Sequence, residues 1–327
     1  MEEMNKKILV VFNICGIKFN NIEMWVNHLN DIIEQDYPNY KIVVSGCKIN
    51  ESSKAILTEI KNQHNNIILN WIEDILPISV TCNQTVQVCE KEFGPFDAYL
   101  YVASDVKFKK YENDRKIINK LVEVHYNSNS AMTLALVDND HGLDGIYSDC
   151  WDKLDKLLET DHFCVNLGRA SNMHVVLFDK EIYNAFDNRI IPDIFASHHI
   201  ETTFAYIAAS LGKKFVVHNR DIILGHIGFA DGHSVGFMDE IKWDHTISWK
   251  HFFKSKISAE ERLLNDEAKN CGFGYGEAMG LLPHREDLYD SDENHINPSL
   301  LLNFLKKAIF LLKDEFNYET INYTLIK

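Results

Sequence analysis

Asp105 closes the run Ala98-Tyr-Leu-Tyr-Val-Ala-Ser-Asp105, an apolar stretch that delivers a carboxylate at its end. A carboxylate in the loop after a buried strand can hold a divalent cation, and such a cation can neutralise a nucleotide diphosphate. The bland reading is a turn or cap aspartate, a residue type favoured there in any case. Asp138-Asn-Asp140 repeats the arrangement after a later apolar run. It reads as a rival cation site, or as a loop binding the hydroxyls of a second substrate. Glu201 opens a helical stretch, where the helix dipole favours an acid whatever its chemistry. Gly232-His-Ser-Val-Gly236 fits the pattern of a nucleophile elbow, with Ser234 as nucleophile and Asp239 and His245 downstream. Such an elbow needs a buried strand running into its first glycine, and Gly228-Phe-Ala-Asp231 makes a poor one. The stretch is therefore read as a glycine-rich substrate loop, and an α/β-hydrolase using Ser234 ranks third among the functions considered.

The elements that would position these groups alternate along the chain. Residues 8–12 are apolar and β-branched, as in a strand buried on both faces, and residues 21–35 carry Ile22, Trp25, Val26, Leu29, Ile32 and Ile33 at helical spacing. Strands follow at 41–45, 66–70, 97–102 and 132–137, with helices at 52–63, 81–93 and 112–125 between them. This alternation predicts a parallel, doubly wound sheet whose ligand crevice lies beyond the carboxyl ends of its strands. Asn13, Ser45 and Asp105 all fall at such ends. A looser half then contains a helix at 201–211 and strands at 214–218 and 222–224. Beyond residue 238 the β-rich pattern gives way to helical stretches near 259–270 and 300–316.

The 327 residues are 46% hydrophobic and 25% charged, enough for a large core. With 33 basic against 48 acidic residues and a net charge of -15, the chain repels nucleic acid and anionic membranes, and it has no basic cluster to offset this. Its seven cysteines lack the paired spacing of a zinc site or a disulfide framework, which fits a reducing, cytoplasmic setting. No apolar run is long enough to span a bilayer.

Three segments resemble the donor half of GT-A-fold glycosyltransferases, particularly family 2-like enzymes: Tyr40-Lys-Ile-Val-Val-Ser45, Ile78-Ser-Val-Thr-Cys-Asn83 and the stretch from Phe93 through Asp105. The resemblance spans residues 7–234, with the motifs in the expected order. It implies an α/β, Rossmann-like nucleotide-diphospho-sugar transferase fold over residues 1–238, with the donor half about 1–130 and the acceptor half about 131–238, and a helical extension over 239–327. Asp105 would be the second acid of the family's Asp-x-Asp motif, whose first place is taken by Ala103. A further metal ligand is then needed, and His226 in Ile223-Leu-Gly-His226 matches the family's late Gly-His. A carboxylate and an imidazole completed by diphosphate oxygens suit a divalent cation, with Mn²⁺ ahead of Mg²⁺.

The same resemblance places donor contacts at Phe12, Asn13, Ser45, Gly46, Asn83 and Ser104 beside Asp105, and acceptor contacts at Asp138, Asp140, Asp193 and His233. Glu201 would be the general base of an inverting transfer, with Thr202 where the family pairs a second acid. The function implied is transfer of a sugar from a nucleotide diphosphate donor, with UDP-sugar preferred, to a hydroxyl of a glycan, as in polysaccharide biosynthesis. Ala103 and Thr202 motivate the runner-up, a sugar-nucleotide or glycan-binding protein without catalysis.

Overall fold

The computed structural model describes residues 5–16, 21–74, 76, 78–108, 115–138, 162–164, 174–191, 208, 211–226 and 318–327. Four strands form its parallel centre: β1 (Ile8–Cys15), β2 (Tyr40–Cys47), β3 (Ile67–Ile72) and β4 (Ala98–Ala103), in the spatial order β3-β2-β1-β4. Almost every residue of these strands is buried, because helices cover both faces of the sheet.

On one face Ile8, Val10, Phe12 and Ile14 of β1 join Ile42 and Val44 of β2 and Leu100 and Val102 of β4 in the main core. Helix α1 (Ile22–Ile33) contributes Trp25, Leu29 and Ile32 to it, and helix α2 (Glu51–Gln63) contributes Leu57. Both helices begin on asparagine caps: Asn21 Oδ1 accepts from Met24 N at 3.0 Å, and Asn50 Oδ1 accepts from Ser53 N at 2.8 Å. Helix α3 (Ile78–Phe93) covers the opposite face and stops at Gly94, whose φ of 75° closes the turn with Gly94 N donating to Glu90 O. Helix α4 (Ile117–Asn127) starts later than residue 112. Its N-terminal cap comes from elsewhere in the fold, with Ile117 N donating to Gln35 Oε1 at 2.9 Å.

Beyond β4 the sheet stops being parallel. The short β5 (Val106–Lys107), β6 (Ser130–Asp138), β7 (His162–Cys164), β8 (Val175–Asp179) and β9 (Lys214–His226) extend it, and β10 (Tyr323–Ile326) adds to the far edge. Among the described residues the order is β10-β3-β2-β1-β4-β8-β6-β9-β5, with β7 also paired to β9. Strand β8 inserts antiparallel to both β4 and β6, so the sheet as a whole is mixed around its parallel centre. The two strands expected at 214–218 and 222–224 are one strand, β9, parallel to β6. Its pairing slips between them: β6 advances from Ala135 to Leu136 while β9 advances from His218 to Ile223.

Helix α5 (Lys180–Ala185) follows β8, capped by Asp179 Oδ1 on Glu181 N at 2.7 Å. The other Asp179 oxygen lies 3.0 Å from Lys213 Nζ and 3.4 Å from Nε2 of the fully buried His125, whose Nδ1 is 3.0 Å from Thr133 Oγ1. Burial holds His125 below its ordinary pKa; Asp179 is also held low, its acid-raising burial outweighed by His125, the Glu181 N–H and Lys213.

The expected helical stretches 259–270 and 300–316 lie outside the described residues. The described end of the chain is a 3₁₀ turn (Tyr318–Thr320) and β10, which runs antiparallel to β3 with Tyr323 opposite Ile72. Residues 323–326 thus belong to the same sheet as β1 to β4. No helix among the described residues is long and apolar enough to cross a membrane.

Candidate functional site

Strands β1, β2 and β3 step away in one direction and β4 returns to the other side of β1, so the chain reverses its winding between β1 and β4. A parallel sheet opens a crevice at such a reversal, beyond the carboxyl ends of the two strands. The register sets four residues in one row there: Asn70 on β3, Ser45 on β2, Asn13 on β1 and Ala103 on β4. Three of the four are polar. Side chains in register on parallel strands share a face, and here it is the face covered by α3.

Helix α3 meets that row with polar groups. Ser45 Oγ pairs with Thr85 Oγ1 at 2.7 Å, and Asn70 Nδ2 donates to Gln84 Oε1 and Thr85 Oγ1, both at 2.8 Å. The pairing is incomplete. Asn13 Oδ1, Asn70 Oδ1 and Gln84 Nε2 are buried with no hydrogen-bond partner among the described residues. Orphaned groups of this kind are costly, at about 1–3 kcal/mol each, unless something outside the protein chain satisfies them.

After Ala103, Ser104 and Asp105 form a turn and the chain enters β5. Both residues are half-buried. The turn is tied down from α1: His28, only 3% exposed, places Nδ1 2.8 Å from the Ser104 carbonyl oxygen. Since a carbonyl only accepts, Nδ1 carries the proton. Burial lowers the His28 pKa against the opposing pull of the Ser104 carbonyl, Asp31 and Asp105, which favours the neutral ring. The sequence held a signal for this residue, since His28 follows Trp25 by three and precedes Ile32 by four, on the buried face of α1.

Strand β5 then pairs antiparallel with the end of β9, Val106 opposite His226 and Lys107 opposite Gly225. The backbone therefore brings His226 across from the residue next to Asp105, although some 120 positions of sequence separate them. Asp138 lies on the neighbouring β6, with Gly225 as its partner, at the same end of the sheet. Among the described residues no cluster of three or more histidine, cysteine, aspartate or glutamate side chains is assembled for a metal.

Other expected donor positions have work inside the protein. Asn83 is fully buried one turn into α3, not at its start. Its Oδ1 accepts from Ile190 N at 3.0 Å and Ile191 N at 3.2 Å, and its Nδ2 donates to Ile191 O at 2.6 Å and Tyr318 Oη at 3.3 Å. Those four bonds use the whole capacity of the amide and tie α3 to the 190–191 backbone and Tyr318. The Phe12 side chain is fully buried in the main core, which leaves it nothing to present to a ligand. Gly46 is required by packing, because a Cβ there would lie 2.5 Å from Cζ3 of Trp71. Asp140, Asp193, Glu201, His233 and Ser234 lie outside the described residues.

No protein-family model matches the sequence, and no curated protein matches it. Solved structures do. The chain is similar to the mannosyltransferase PcManGT from Pyrobaculum calidifontis, described in complex with GDP-Man and Mn²⁺, with a TM-score of 0.50 and 11% identity over 96% of this chain and 88% of that one. The chain has a glycosyltransferase fold. S. aureus TarS is also matched, with a TM-score of 0.48 and 14% identity over 95% of this chain and 54% of TarS.

Proposed function

We propose that this chain is a glycosyltransferase that moves a sugar from a nucleoside diphosphate donor to a hydroxyl group of a glycan, in the synthesis of a polysaccharide. The observation that supports it most is the reversal between β1 and β4. It sets the orphaned acceptor of Asn13 and the turn carrying Asp105 side by side at the carboxyl edge of the sheet.

In this reading Asn13 Oδ1 accepts from an N–H of the nucleobase, and Ser104 and Asp105 face the diphosphate. Asp105, in the turn before β5, and His226, on the β9 segment that pairs with β5, would hold a divalent cation as a carboxylate and an imidazole, and a bound Mn²⁺ would neutralise diphosphate charge. His28 holds the turn so that the carboxylate is presented in one place. Glu201 takes the proton from the acceptor hydroxyl as its oxygen attacks the anomeric carbon, and the bond from that carbon to the diphosphate breaks with inversion. UDP-sugars are the first donors to test. GDP-sugars come next, since the PcManGT complex contains GDP-Man.

The test is release of UDP or GDP from a panel of sugar nucleotides, with Mn²⁺ and after chelation, for wild type, Asp105→Ala, Glu201→Gln and Ser234→Ala. Metal-dependent turnover that falls at least about a hundredfold in the first two variants is expected. Donor binding without turnover for any acceptor offered would identify a binding protein. An esterase activity lost only in Ser234→Ala would overturn the proposal.

A further inference from the structure

Two cysteines meet at the end of the parallel centre, in a setting that the transfer reaction does not use. Cys15 is the last residue of β1 and Cys47 the last of β2, and they are partners in the parallel register. Registered residues on parallel strands project to the same face, with neighbouring strands about 4.8 Å apart. That spacing lies within the Cα separation a disulfide accepts, roughly 4.4–6.8 Å. Cys47 Sγ donates to Asp74 O at 2.9 Å, and the neighbouring Cys15 side chain pushes the Cys47 thiol pKa up. Both strands end here: Gly16 N donates to Cys47 O at 2.9 Å, and Lys48, with a φ of 51°, turns the chain away after Cys47.

We propose that Cys15 and Cys47 form a redox-active dithiol site, which closes to an intramolecular disulfide by exchange with a small disulfide of the glutathione class. The two cysteines are unequal in access, Cys15 half-buried and Cys47 only 4% exposed. Cys15 therefore reacts first: its thiolate attacks the small disulfide, forms a mixed disulfide and releases one small thiol. Cys47 then attacks the Cys15 sulfur and releases the second. Two electrons pass from the protein to the oxidant, which leaves as two thiols carrying the two protons. The Cys15 thiol is the largest cause holding the Cys47 pKa high, ahead of burial, and capping Cys15 removes that cause before the second step. Cys82 and Cys89 serve as internal controls, because burial inside α3 raises their pKa values. The bond would tie the ends of β1 and β2 two residues beyond Asn13 and Ser45.

The test treats the full reduced chain with oxidised glutathione, blocks remaining thiols, and maps peptides without reduction. A linked peptide pair joining Cys15 to Cys47 is expected, with Cys82 and Cys89 blocked as thiols and the link reopened by excess reduced glutathione. In Cys47→Ser the second step is lost, so the glutathione adduct on Cys15 accumulates about tenfold over wild type. A persistent adduct on Cys15 at equal levels in wild type and Cys47→Ser would overturn the proposal, as would Cys15 remaining a thiol or pairing with another cysteine. The wild-type map decides the matter even if Cys47→Ser folds poorly, and it does not depend on any transferase activity.

Discussion

Replacing His28 by leucine removes the N–H that α1 supplies to the Ser104 carbonyl at 2.8 Å, while leaving an apolar side chain of similar reach on a buried face. A neutral hydrogen bond of this kind contributes about 1 kcal/mol, and an acceptor left unsatisfied raises the cost to about 1–3 kcal/mol. The penalty falls on the turn that carries Asp105, because His28 belongs to α1 and Ser104 immediately precedes the carboxylate. If about 1.4 kcal/mol of it must be repaid when Mn²⁺ and nucleotide fix the turn again, their affinity drops about tenfold. The assay is Mn²⁺ binding in the presence of UDP, followed by the electron paramagnetic resonance signal of the free ion, alongside thermal melting. His28→Leu is expected to melt a few degrees lower and to bind Mn²⁺ about tenfold more weakly, with His28→Gln, which keeps an N–H donor, recovering part of both. A variant that melts lower but binds Mn²⁺ with UDP as wild type does would refute the idea that His28 positions the Asp105 turn.

Two further outcomes follow from buried groups. Asn83→Leu strips the partners from Ile190 N, Ile191 N and Ile191 O, and chemical denaturation should show a loss of about 2–5 kcal/mol; an unchanged midpoint would contradict the structural tie. For His125, the folded pKa lies below the ordinary 6.5, so the unfolded chain binds more protons between the two values. Its contribution is complete above about pH 6.5 and is lost as pH falls toward the folded value, and Asp179, also held low, loses its own contribution only in stronger acid. The melting temperature should therefore drop on mild acidification, less so in His125→Gln, and a flat profile across that range would count against the buried neutral ring.

Much of the parallel centre was legible in the sequence because its signals are local. The run 8–12 and the helices read over 21–35 and 52–63 each follow from side-chain periodicity within a few residues. Asp105 was placed by the same means, as the acid just after an apolar strand. The later start of α4 was not legible, since its cap is the side chain of Gln35 on a different element. The single strand β9 was not legible either. Its course is set by pairing with β6, β7 and β5, which lie far from it in sequence. For β10, a four-residue strand at the chain's end, pairing with the distant β3 decides the conformation, and pattern within so short a segment could not.

The candidate site divides along the same line. Sequence alone determined which groups with chemistry stand at strand ends, because apolar runs and the residues that stop them are encoded locally. Tertiary structure decided what those groups meet: Asn83 bonds the 190–191 backbone, Gly46 lies against Trp71, and Asn13 Oδ1 has no hydrogen-bond partner among the described residues. It also decided that Cys15 meets Cys47 and that β5 lies against His226, since register between strands distant in sequence is fixed by packing of the whole sheet.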